Sequence, residues 1–85
     1  MDERRVVYIL RSEGQPGRYY VGLAANVRSR LAAHNAGGSS YTANYRPWRL
    51  AVSIEFETSA RAVAFERYLS RVLDVPSPSV TSSHR

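Results

Sequence analysis

Eighty-five residues suffice for one hydrophobic core and are too few for two, so one domain carrying one site is expected. The chain has no cysteine, which excludes disulfides and thiolate metal sites and leaves apolar burial as the source of stability. All twelve basic residues are arginine, against seven acids, so lysine nucleophiles and Schiff bases are excluded as well.

The opening run Arg5-Val6-Val7-Tyr8-Ile9-Leu10-Arg11 is rich in β-branched and aromatic residues and reads as a strand covered on both faces. Ser12-Glu13-Gly14-Gln15-Pro16-Gly17 is turn chemistry, and strand character resumes over Arg18-Tyr19-Tyr20-Val21-Gly22. The two segments are expected to pair as an antiparallel hairpin that brings Tyr8 and Tyr20 close. Asn26 is a good N-cap for a helix running to about Asn35, with Gly37-Gly38 as its stop signal. Val27 and Leu31 mark the buried side of that helix. At ~100° per residue, His34 falls ~20° from Val27 and Arg30 ~60° away, both at or beside that side.

Residues 37–47, Gly-Gly-Ser-Ser-Tyr-Thr-Ala-Asn-Tyr-Arg-Pro, lack periodicity and read as a long surface loop. Residues 48–57 alternate, with Trp48, Leu50, Val52, Ile54 and Phe56 on one face and Arg49, Ala51, Ser53, Glu55 and Glu57 on the other; this is the pattern of a half-buried strand. Thr58 or Ser59 caps a second helix over about 60–73, whose apolar side is Ala62, Phe65, Leu69 and Val72 or Leu73. Residues 74–85 are polar and rich in Pro and Ser, so a domain over 1–73 followed by a disordered tail is expected. The apolar runs at 6–10 and 19–21 are far below the ~20 residues a membrane span needs, and no signal peptide opens the chain. A soluble, cytoplasmic protein without membrane contact is expected; the sequence does not fix its oligomeric state and is compatible with a monomer.

Charge is distributed unevenly along these elements. Residues 11–50 hold Arg11, Arg18, Arg28, Arg30, Arg46 and Arg49 against one acid, Glu13, whereas residues 51–85 hold four arginines and four acids. A basic region backed by a neutral one fits a phosphate-binding face, because guanidinium groups match phosphate oxygens bidentately. The bland alternative is a composition that prefers arginine on a merely solvated surface.

Glu66 is the residue that does not fit. It lies ~40° from Ala62 and ~20° from Leu73 on the second helix, inside the apolar sector. Desolvating a carboxylate is costly unless it is paired or binds a metal, so either an arginine ion pair or metal and catalytic use is expected. His34 raises the same question more weakly, its bland reading being a hydrogen-bonded core histidine. Arg30, a permanently charged donor at the rim of a buried side, can reach a phosphate while its stem packs, or pair with Glu66. Tyr8 and Tyr20 by themselves read as core aromatics.

Taken together these residues resemble the GIY-YIG nuclease superfamily, in its small stand-alone single-domain branch. Val6-Val7-Tyr8 stands where the first motif ends and Tyr20-Val21-Gly22 where the second begins, with eleven residues between the two tyrosines. Arg30-Leu31 with His34-Asn35 matches the helix motif, Arg46-Pro47-Trp48 the entry to the third strand, and Phe65-Glu66 the metal-binding helix. Val6 stands in place of the name-giving glycine, Leu23-Ala24-Ala25 lack a hydroxyl or acid, and Ser70 stands near where a basic residue is common.

The resemblance implies an α+β fold, a three-stranded antiparallel sheet flanked by helices in the order β-β-α-β-α. It also implies hydrolysis of phosphodiester bonds in DNA, or less readily RNA, selected by structure rather than sequence. One divalent cation, Mg²⁺ or Mn²⁺, is then held by Glu66, and Arg30 holds the scissile phosphate. Tyr8, with Tyr20 assisting, takes the proton from water, which requires a phenol pKa well below its usual ~10. His34 orients water or phosphate, and Arg28, Asn35, Thr42 and Arg46 are implied nucleic-acid contacts. Two rival readings are a non-catalytic nucleic-acid-binding module using the arginine-rich face, and a protein-interaction domain anchored by Tyr41, Tyr45 and Trp48.

Overall fold

The computed structural model describes residues 5–38 and 40–75. Its elements are β1 (Val6–Ser12), β2 (Tyr19–Ala24), α1 (Val27–Asn35), α2 (Ser40–Ala43), β3 (Trp48–Glu55) and α3 (Ser59–Leu73). The strands form one antiparallel sheet in the order β2-β1-β3, which is the α+β architecture expected, with a short helix added. The hairpin closes on local bonds. Ser12 N–H donates to Arg18 O at 3.0 Å, Arg18 N–H to Gln15 O at 3.2 Å, and Gly17 takes a φ of 92° that L side chains rarely adopt.

Central position makes β1 a strand with two buried faces, and the side-chain period of two sorts its residues between two cores. Val7 joins Val21 and Ala62, with Ile9, Leu23, Phe56, Phe65, Leu69 and Val75 packed against them. Tyr8 and Leu10 join Tyr20, Ala24 and Trp48, with Val27, Leu31, Tyr41 and Tyr45 around them. The sheet is therefore a partition between a layer of α3 and a layer of α1 and α2. Both long helices begin as expected: the Asn26 side chain accepts from Ser29 N–H, and the Thr58 side chain from Arg61 N–H.

Three expectations change. The alternation over 48–56 does not mark a single face, because the partner on β3 jumps from Val52, opposite Ile9, to Leu50, opposite Leu10. Ala51 is the extra residue of a β-bulge, so Trp48 and Leu50 face the Tyr8 side while Val52 and Ile54 face the Val7 side. Val52 and Ile54 are exposed, at 41% and 37%, since β3 is an edge strand and α3 packs over β2 and β1; Leu50, on the opposite face, is 42% exposed.

The loop over 37–47 is partly ordered. Four residues form α2, Thr42 is buried, and Tyr41 and Tyr45 pack half-buried against the core. One helical turn is too short to show a period in sequence. On α3 the buried residues are Ser59, Ala62, Glu66 and Ser70, while Val72 and Leu73 are exposed. The chain leaves α3 through Asp74 in the left-handed region, and both Asp74 N–H and Val75 N–H reach Ser70 O. The rest of the expected tail, residues 76–85, lies outside the described residues.

Candidate active site

Antiparallel pairing sets Gly22 directly opposite Tyr8 and Tyr20 opposite Leu10, so the two tyrosines are diagonal neighbours on one face. Gly22 is what lets Tyr8 lean across β2. A Cβ at position 22 would stand 2.5 Å from both Tyr8 Cζ and the phenol oxygen. The Tyr8 and Tyr20 ring centroids are 6.4 Å apart, and that of His34 is 4.8 Å from Tyr20. From the last turn of α1, His34 meets the phenol through Nε2 at 3.1 Å and Thr42 Oγ1 through Nδ1 at 2.9 Å. Arg30, one turn earlier and exposed, lies within electrostatic reach of Tyr8, Tyr20 and His34. Glu66 on α3 acts electrostatically on both tyrosines. The structure thus clusters Tyr8, Tyr20 and His34, with Arg30 and Glu66 within electrostatic reach of both phenols.

In the chain alone, burial governs protonation. Burial pushes the Tyr8 phenol up from 10.0 despite the pull of Arg30, and pushes Tyr20 to about 12. The phenols of the metal-free site are therefore poor standing bases rather than activated ones. Burial, reinforced by Arg30, lowers His34 below 6.5 and keeps its ring neutral at pH 7.

Glu66 is 0% exposed, and Oε1 has no hydrogen-bond partner. Oε2 receives Ser70 Oγ at 3.4 Å. Among the described residues the ion pair within 4.0 Å is Glu13–Arg49, at 2.9 Å on the surface, so no arginine neutralises Glu66. No cluster of three or more His, Asp or Glu side chains occurs among them either. One orphaned carboxylate fits a hard cation that keeps most of its waters, as Mg²⁺ does, and does not fit a caged structural ion. Sequence reasoning missed Ser70 as its partner; the available signal was a hydroxyl four residues along the same helix face.

The remaining expected contacts divide. Arg28 and Arg46 are exposed, and Arg46 also donates through Nε to Ala43 O at 2.9 Å. Asn35 is engaged in structure: its amide nitrogen donates to Trp48 O at 3.0 Å and its oxygen accepts from Trp48 N–H at 2.6 Å. Thr42 is 0% exposed, so nucleic acid does not reach it, and its visible role is to hold His34. Trp48 is 3% exposed and so is no surface anchor for a protein partner, while Tyr41 and Tyr45 are half-buried against the same core.

The GIY-YIG catalytic domain family model matches residues 4–73. The chain belongs to the GIY-YIG family. This GIY-YIG domain is 36% identical to a UPF0213 protein of Streptococcus pneumoniae serotype 4 over 72 residues, covering 84% of this chain and 71% of that relative. It is 40% identical over 67 residues to the structure-specific endonuclease subunit SLX1 of Scheffersomyces stipitis, covering 71% of this chain and 20% of the relative. The SLX1 homologue of Giardia intestinalis is 36% identical over 62 residues, covering 68% of this chain and 17% of its own length. The chain thus spans about a fifth of the SLX1 proteins. No solved structure gives a significant match.

Proposed function

We propose that this GIY-YIG domain is a metal-dependent nuclease that hydrolyses phosphodiester bonds, in DNA rather than RNA, and selects its substrate by structure. The observation that carries the reading is Glu66 Oε1, a buried carboxylate oxygen without a partner, in a site that also holds Arg30, Tyr8, Tyr20 and His34. Membership in the family and likeness to proteins named structure-specific endonuclease subunits support it. A domain this small reaches few phosphates, which favours recognition of shape over a long sequence.

In this mechanism Glu66 holds one Mg²⁺ or Mn²⁺, which supplies Lewis acidity toward a phosphate oxygen. Arg30, exposed at the mouth of the site, binds the scissile phosphate and offsets the charge that develops in the transition state. Tyr8, hydrogen-bonded to His34 Nε2, acts as a relay. As the attacking water gives a proton to the phenol oxygen, the phenol passes its own to the neutral His34 Nε2, 3.1 Å away. Tyr20 packs against the imidazole and limits water around it. Arg28 and Arg46, both exposed, bind flanking phosphates.

A cleavage screen with Mn²⁺ and Mg²⁺ over single-stranded, duplex, flapped and branched DNA and RNA tests the reading. Turnover is expected with metal and lost in Glu66→Ala and Arg30→Ala with the fold intact. Persistent cleavage by a clean Glu66→Ala preparation overturns it, and salt-sensitive binding without turnover leaves the non-catalytic module in its place. No helix among the described residues is long and apolar enough to cross a membrane.

A further inference from the structure

We propose that Thr42 is a positioning residue that fixes His34 in the Nδ1-protonated tautomer and so presents a bare Nε2 to the Tyr8 hydroxyl. The catalytic consequence rests on the nuclease reading; the tautomer itself does not.

The inference follows from counting donors. His34 makes two buried ring contacts, Nε2 to the Tyr8 hydroxyl at 3.1 Å and Nδ1 to Thr42 Oγ1 at 2.9 Å. A neutral imidazole donates through one nitrogen and accepts through the other, whereas a hydroxyl does either. Burial breaks the ambiguity. Tyr8 is 1% exposed, so the phenol's own proton needs an acceptor within the fold, and among the described residues the hydrogen-bond partner of its oxygen is His34 Nε2. Nε2 is then unprotonated, Nδ1 carries the hydrogen, and Thr42 Oγ1 accepts it.

The position of Thr42 is itself fixed by a closed ring of side-chain bonds. Asn35 exchanges two hydrogen bonds with the Trp48 backbone. The Trp48 indole N–H donates to Thr42 O at 2.8 Å. Thr42 Oγ1 returns to His34, the chain neighbour of Asn35. The end of α1, the start of β3 and α2 are thereby locked together, and the ring's output is the orientation of one imidazole. An acceptor at Nδ1 is also what the imidazolium formed by the proton relay needs, so the same contact favours the product of the transfer.

Long-range ¹H–¹⁵N spectra of His34 read the tautomer directly, with one other histidine, His84, in the chain. The wild type and Thr42→Ser are expected to show Nδ1 protonated and Nε2 bare. Thr42→Val, which lacks the acceptor, is expected to shift a major share of His34 to the Nε2-protonated form. Its cleavage rate should fall roughly 10-fold at unchanged KM, as for loss of other outer-shell partners, with Ser restoring the rate. An Nε2-protonated ring in the wild type, or a wild-type tautomer in Thr42→Val, overturns the proposal. If Thr42→Val does not fold, the wild-type and Thr42→Ser spectra decide. Should the wild type cleave nothing, the spectra still decide the role of Thr42, and the nuclease reading alone falls.

Discussion

Replacing Glu66 by Gln removes the charge of the candidate metal ligand while keeping its shape. Glu66 is 0% exposed, receives one long hydrogen bond of 3.4 Å at Oε2 and none at Oε1. An uncompensated buried ion carries an effective penalty of several kcal/mol, whereas an unpaired buried amide costs about 1–3 kcal/mol. Glu66→Gln is therefore expected to gain about 2 kcal/mol of stability when divalent cations are chelated, a rise in Tm of roughly 10 °C for a domain of this size. In Mn²⁺ the order reverses. A cation that binds only the folded wild type adds about 2.7 kcal/mol at roughly 100 times its Kd and leaves Glu66→Gln unchanged. Thermal and urea unfolding in EDTA and in MnCl₂ measure both differences. A wild type more stable than Glu66→Gln in EDTA means that the carboxylate is already compensated within the chain. Equal responses of both proteins to Mn²⁺ mean that Glu66 does not hold the cation. Either result refutes the reasoning.

Gly22→Ala, which adds only a methyl group, places a Cβ 2.5 Å from the Tyr8 phenol; displacement of the ring should cost about 1–3 kcal/mol and abolish cleavage, so turnover at the wild-type rate would show that Tyr8 does not depend on that space. Arg30→Ala, at an exposed position, should change unfolding free energy by less than about 0.5 kcal/mol yet lower kcat about 100-fold or more, and equal losses of both would make Arg30 structural. Asn35→Ala strips both bonds from the Trp48 backbone and should cost about 2 kcal/mol in urea unfolding; a neutral effect would mean that water replaces the amide. His34, lowered from 6.5 by burial and then by Arg30, makes the unfolded chain bind a proton that the folded chain refuses. Its contribution to stability is complete above pH 6.5 and is lost as pH falls from there through the folded pKa. Urea midpoints across that window should show the slope, and His34→Gln should flatten it.

Features written locally in the chain were the ones open to sequence reading. Asn26 and Thr58 announce the starts of α1 and α3 because a cap is made within three residues of the helix it serves. Glu66 announces itself because a carboxylate on an apolar stripe violates the pattern around it. The bulge at Ala51 was not legible, since the alternation from Trp48 to Phe56 continues unbroken in β3; the slip exists only in its register against β1. Nor was the exposure of Val52 and Ile54, which follows from where α3 packs rather than from the strand. Asn35 and Thr42 were expected as nucleic-acid contacts from the family resemblance alone, whereas their partners, Trp48 and His34, are set by tertiary packing. The raised phenol pKa values were missed for a related reason. Resemblance supplies the role of a tyrosine, but burial supplies its proton affinity.

The distribution of polar groups explains why the site looks incomplete at one atom. Among the described residues, eight apolar residues are buried alongside six polar or charged ones, Ser12, His34, Thr42, Ser59, Glu66 and Ser70. So polar an interior is tolerable in a small domain only if its groups are bonded. Most are. Ser12 Oγ donates to Tyr45 O at 2.6 Å and accepts from Gln15 N–H at 2.9 Å, His34 is bonded at both nitrogens, and Ser70 is turned to Glu66. The unpaired atoms are Ser59 Oγ and Glu66 Oε1. Ser59 is the first residue of α3 and 8% exposed, and its hydroxyl carries no charge. Glu66 lies mid-helix at 0% exposure. A fold that bonds most of its buried polar side chains among the described residues, yet leaves a carboxylate oxygen bare within electrostatic reach of Tyr8 and Tyr20, fits the proposal that this oxygen takes its partner from outside the chain. A divalent cation meets that need with a charge of the right sign and adds no protein group to an already crowded layer.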